Sequence, residues 1–107
     1  MKRTIIGFCL VLLVGYLLVA LLNLPTLNVQ LLKVRGSCQL CDLTNAKLKD
    51  MDLHGVDLDE ANLTRAVLNR ANLAEANLEG GDLRWADLSG ANLEGVNLGE
   101  ANLTDAI

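Results

Sequence analysis

The sequence predicts an all-β solenoid preceded by a single hydrophobic α-helix, and three observations carry that prediction. Between residues 41 and 107 a leucine returns every fifth residue without a slip: Leu43, Leu48, Leu53, Leu58, Leu63, Leu68, Leu73, Leu78, Leu83, Leu88, Leu93, Leu98 and Leu103. Two residues before each stands something small or apolar, Ala at eight of the thirteen positions and Cys41, Met51, Val56, Gly81 and Val96 at the others. From Thr4 to Leu24, by contrast, there is no charge and nearly every residue is apolar.

The N-terminal element, residues 1–25, reads as a transmembrane signal-anchor helix. Ile5–Leu24 is long enough, at about 30 Å as a helix, to cross one hydrocarbon core. Lys2 and Arg3 precede it and Pro25 closes it. A cleaved signal peptide shares the charged start but has a shorter apolar run ending at a small-x-small site, and Leu18 before Ala20 does not supply one. The positive-inside bias keeps the N-terminus cytoplasmic and sends the rest of the chain to the periplasm or an equivalent lumen, with Lys33 and Arg35 opposing that assignment. The alternative is secretion after signal cleavage. Residues 26–40 are assigned as linker and N-terminal cap, because the first coil of a solenoid otherwise exposes apolar side chains and unpaired edges.

In residues 41–107 a period of five fits neither standard element. On an α-helix five residues advance about 140° past a full turn, so the leucines would scatter. On a continuous strand an odd period throws alternate leucines to opposite faces. Within each unit, however, the small residue and the leucine are two apart, which is strand spacing. The consistent solution is a short extended segment with both side chains inward, a two-residue corner, and repetition, so that the chain coils around a column of its own leucines. The second residue after Leu is Gly55, Gly80, Gly90, Gly95 or Asn45 at five corners, types that tolerate the positive φ of a type II turn. The remaining corners carry Asp50, Glu60, Arg65, Arg70, Glu75, Trp85, Glu100 and Asp105, which predicts turns of another type at many of them.

Counting back by fives puts Cys38 in a leucine slot and Cys41 in the next small slot, both inward across one corner. Two readings stand: a pair of buried thiols, or a disulfide between residues whose Cα atoms a turn brings within about 7 Å. Redox catalysis is disfavoured because no helix follows to depress a thiol pKa, and zinc because too few ligands remain.

The runs Ala-Asn-Leu-Thr-Arg (61–65), Ala-Asn-Leu-Ala-Glu (71–75) and Ala-Asp-Leu-Ser-Gly (86–90) resemble the pentapeptide-repeat family, whose unit is A-(D/N)-L-x-x. The resemblance implies a right-handed quadrilateral β-helix with four units per coil, here a little over three coils. The start Cys-x-x-Cys-Asp-Leu also resembles the head of the repeats in some family members.

Charge divides the chain. Residues 1–40 carry Lys2, Arg3, Lys33 and Arg35 and no acid, net +4. Residues 41–107 carry thirteen acids against Lys47, Lys49, Arg65, Arg70 and Arg84, net −8, and the two together make the chain's −4. With four units per coil, residues twenty apart share a wall. The walls of Leu58/Leu78/Leu98 and Leu53/Leu73/Leu93 are then acidic, and all five basic residues lie with Trp85 on the other two. Asp57, Asp59 and Glu60 lack the glycine of a calcium loop and read as a solvated face.

A continuous leucine column leaves no room for a pocket, and His54 has no nucleophile beside it, so no enzyme and no cofactor are expected. The first functional reading is a membrane-tethered structural or protein-interaction module with Lys47, Arg65, Arg84 and Trp85 as docking patch, since Trp and Arg are enriched at binding hot spots. The same residues also suit a merely structural cation–π step, with Asp50–Arg70 an exposed ion pair. The family resemblance implies an alternative, an acidic DNA mimic that binds a topoisomerase such as gyrase. Contact with nucleic acid itself is not expected. Another alternative is self-assembly into a homo-oligomer through an uncapped C-terminal coil.

Overall fold

The computed structural model describes Val29, Leu32 and residues 36–107. From Ser37 onward the backbone repeats one five-residue unit, a single bridging residue, the leucine, a two-residue turn and the small residue. The bridges are all parallel and all join residues twenty apart in number: Asp42 to Asn62, Asn62 to Asp82 and Asp82 to Asn102 on one wall, Lys47 to Val67 and Val67 to Asp87 on the next. Four units therefore complete a circuit, which makes a four-sided β-helix.

The unit 61–65 shows why this sequence folds this way. Ala61 N–H closes the preceding turn on the Leu58 carbonyl (3.0 Å), Asn62 N–H bonds down to Cys41 (2.8 Å), and Leu63 and Arg65 N–H bond up to Asp82 (2.7 Å) and Arg84 (2.9 Å). The remaining amide, Thr64 N–H, donates to the Asn62 side-chain Oδ1 (3.0 Å). All five donors are satisfied, as a closely packed backbone requires. Small, Asp/Asn and Leu positions thus have separate tasks: close approach, turn capping and core.

The Asp and Asn side chains also stack. Asn92 Nδ2 donates to Asn72 Oδ1 (3.1 Å) and Asn72 Nδ2 to Asp52 (3.0 Å). A second ladder runs from Asn97 to Asn77 (3.0 Å) and from Asn77 to Asp57 (3.1 Å). Aspartate, which only accepts when ionised, stands at the foot of both, where nothing needs to be donated downward.

The corner turns differ from the sequence expectation. The ten residues Leu40, Asn45, Asp50, Glu60, Arg65, Arg70, Glu75, Trp85, Glu100 and Asp105 all have φ between 53° and 62°, like Gly55, Gly80, Gly90 and Gly95 at 63° to 69°. One turn geometry serves every corner. Every such turn is closed by the small residue's amide on the leucine carbonyl, as from Ala46 to Leu43 (2.9 Å) and from Ala101 to Leu98 (3.1 Å). Through the inner coils the corner amide also meets the next coil, as from Asn45 to the Thr64 carbonyl (2.9 Å); the repeat geometry overrides the preference of a non-glycine residue for negative φ.

The core is the leucine column with its small partners. Leu43, Leu48, Leu53, Leu58, Leu63, Leu68, Leu73, Leu78 and Leu83 are buried. The expectation of thirteen core leucines fails for the last circuit. Leu88 and Leu98 are half-buried, and Leu93 and Leu103 are 37% and 39% exposed, because no described coil stacks on them. At the opposite end Leu32 is helical and buried in the core cluster, and Val29, also helical, packs against it. The signal-anchor assignment at 1–25 lies outside the described residues. Among the described residues no helix is long and apolar enough to cross a membrane.

Candidate protein-interaction surface

The corner column Asn45, Arg65, Trp85 and Asp105 holds the main candidate site. Consecutive corners face the same way one coil apart, so the Arg65 guanidinium carbon comes to 5.4 Å from the Trp85 ring centroid. Arg84, next to Trp85 in sequence, brings its guanidinium carbon to 5.5 Å from the same ring. Both distances suit cation–π attraction. Trp85 is the only Trp of the chain and remains 46% exposed.

Sequence reasoning missed one participant. Asp82 takes Arg84 in a bidentate grip: Nε donates to Oδ1 (2.8 Å) and Oδ2 (3.0 Å), and Nη2 donates to Oδ2 (2.6 Å). The hydrogen bond from Arg84 holds the Asp82 carboxyl below its ordinary value, against a smaller opposing effect of desolvation, and Asp82 raises Arg84 in turn. The signal was available in Asp-Leu-Arg, since residues two apart on an extended segment project to the same side. Arg70 is likewise bound by Asp50 (2.7 Å). Arg65 is left as the repeat-domain arginine without a carboxylate partner among the described residues.

Lys47 is exposed and lies round the corner from Arg65, on the wall of Leu48, where it bridges in register with Val67. It makes none of the ring contacts. The structure thus joins Arg65, Arg84 and Trp85 directly and places Lys47 on the adjoining wall.

Cys38 and Cys41 are bonded as a disulfide, with Cα atoms 5.4 Å apart. Cys38 is buried in the core cluster and Cys41 packs against it. His54 is exposed, and among the described residues no group of His, Cys, Asp or Glu is placed to hold a metal ion.

The sequence matches the pentapeptide repeats family in eight copies, over residues 37–80 and 66–105. Among solved structures, a pentapeptide repeat protein from the Arabidopsis thaliana thylakoid lumen is 28% identical with a TM-score of 0.62 over 65% of this chain and 49% of its own. HetL, a pentapeptide repeat protein involved in heterocyst differentiation regulation from Nostoc sp. strain PCC 7120, is 34% identical over 66% of this chain and 40% of its own, with a TM-score of 0.35. Another pentapeptide repeat protein from Nostoc PCC 7120 is 35% identical over 78% of this chain and 74% of its own, with a TM-score of 0.30. The chain thus spans about half the length or less of the first two. No curated protein sequence matches. The chain belongs to the pentapeptide-repeat family, whose members are right-handed quadrilateral β-helices serving as structural or interaction modules.

Proposed function

We propose that the protein is a non-enzymatic interaction module, a right-handed β-helix of a little over three coils tethered to a membrane through residues 1–25. The repeats stand on the far side from a cytoplasmic N-terminus and present the Trp85 corner to a protein partner. The observation that carries this reading is a half-exposed Trp85 flanked by two guanidinium groups and stacked on the unit 61–65, whose five amides are all hydrogen-bonded. Such a surface is preorganised, which lowers the ordering cost of association. The thylakoid-lumen location given for the Arabidopsis neighbour agrees with repeats that lie across a membrane. The test is a pull-down of the intact chain from native membranes beside an Arg65→Glu/Trp85→Ala variant. A partner that the variant loses supports the reading, and a partner set that the variant leaves unchanged removes the docking patch.

A second reading is self-assembly through the last circuit, favoured by the exposure of Leu93 and Leu103. It requires the chain to sediment as an oligomer and Leu103→Lys to dissolve it. The DNA-mimic reading is weaker, since the acids concentrate on two walls while all five basic residues of the repeats occupy the other two.

A further inference from the structure

The repeat abandons its own rule at two places, and they are stacked. Eleven of the thirteen residues before a core leucine are Asp or Asn, and every one accepts a hydrogen bond at Oδ1 from the amide two residues on. The exceptions are Lys47 and Val67, which bridge directly to one another on the wall that adjoins Arg65. Each gives up a turn-capping hydrogen bond that its equivalents keep, and Val67 turns an aliphatic group outward. The same wall holds Asn69, whose Oδ1 is the buried side-chain polar atom without a hydrogen-bond partner among the described residues. Three irregularities thus share one face and border the Trp85 corner.

We infer that this face, Lys47 and Val67 with Arg65 and Trp85, binds an acidic segment of a partner protein in which carboxylates alternate with apolar side chains. The inference rests on the interaction-module reading and names the partner's chemistry. Charge complementarity selects it. Arg84 and Arg70 are each held by an aspartate, whereas neither Lys47 nor Arg65 pairs with a carboxylate among the described residues. An Arg65 fork is suited to bidentate carboxylate contact, Lys47 supplies a second cation, and Val67 and the Trp85 ring supply apolar contact between them. Asp87 follows Val67 and Asp105 follows Trp85 in their columns, and of the nearer carboxylates Asp50 is taken by Arg70 and Asp82 by Arg84, so the segment's carboxylates lie on the coils of Lys47 and Arg65 with its apolar side chains reaching up to Trp85.

The test uses the full chain in detergent micelles and two blocked hexapeptides, one alternating Glu and Leu and one alternating Gln and Leu, with Trp85 emission as reporter. The Glu peptide is expected to shift the emission saturably and the Gln peptide to bind at least tenfold more weakly. Lys47→Asn/Val67→Asn restores the repeat's own pattern. It should therefore melt no lower than the parent while weakening the Glu peptide at least tenfold by calorimetry, as should Arg65→Gln. Equal binding of the two peptides, no binding of either, or unchanged binding by the restored variant overturns the inference. A membrane partner that is lost with Arg65→Glu/Trp85→Ala but coexists with a silent Glu peptide rejects the acidic segment alone and leaves the docking reading intact.

Discussion

Leu63 and Leu103 occupy the same repeat position on the same wall, but one is enclosed and the other is not, which makes them an internal control. Leu→Ala removes three carbons, about 2.4 kcal/mol of transfer energy at roughly 0.8 kcal/mol per carbon. Leu63 is fully buried between the coils of Leu43 and Leu83, bonded through its amide to Asp82, so the coil above cannot collapse into the space. A cavity cost is added there, and the total should fall near 3–4 kcal/mol, within the range of about 2–5 kcal/mol for enclosed leucines. Leu103 is 39% exposed, so about 1.5 kcal/mol is at stake and no closed cavity forms. Equilibrium urea unfolding of both variants, followed by far-ultraviolet circular dichroism, should therefore separate them by about 2 kcal/mol. Equal losses, or a larger loss at Leu103, would refute the burial gradient along the column.

Glu100→Gly should stabilise by up to about 1 kcal/mol, because it relieves a non-glycine residue held at φ 56° at the cost of a floppier unfolded chain. Gly80→Ala should do the opposite by about 1–3 kcal/mol in a thermal melt, since φ is 63° and the added Cβ would come within 3.1 Å of Glu60 Cγ. Cys38→Ala/Cys41→Ala, or reduction, should cost about 2 kcal/mol, the loop-closure value for a bridge this short; an unchanged urea midpoint would count against the bond. Asp82 and Asp87 both titrate lower when folded, Asp82 through Arg84 and Asp87 through Ser89. Their contribution is present above the ordinary value of 3.8 and is lost as pH falls through the folded values. Arg84→Gln should flatten the Asp82 part of that acid limb and leave the part due to Asp87.

The leucine period read the column directly from sequence, because a fixed number of residues per side leaves no freedom in which residue points inward. What it misjudged came from interactions between coils. Glu75 and Trp85 look like poor candidates for positive φ when taken alone, yet each adopts it in register with its neighbours, its amide meeting the Glu94 or Thr104 carbonyl of the next coil. The reading of an uncapped last coil anticipates exposed leucines there, but the period alone counts Leu88, Leu93, Leu98 and Leu103 with the core, since burial depends on what is stacked above each unit. At the candidate surface, Arg65 and Trp85 could be placed by adding twenty. The Asp82 clamp on Arg84 and the conjunction of Lys47, Val67 and Asn69 needed side-chain positions. The break in the Asp/Asn column at 47 and 67 was visible in the letters, but its meaning depends on the turn-capping bonds that the other positions make.

The backbone winds on itself with each coil bonded to the one twenty residues on. Scalar couplings across hydrogen bonds, measured by NMR on uniformly labelled protein, test it most directly. Couplings are expected from the Leu63 amide to the Asp82 carbonyl, from Leu68 to Asp87 and from Asn62 back to Cys41. Couplings from these amides to carbonyls four residues earlier, or to a different register between coils, would contradict it.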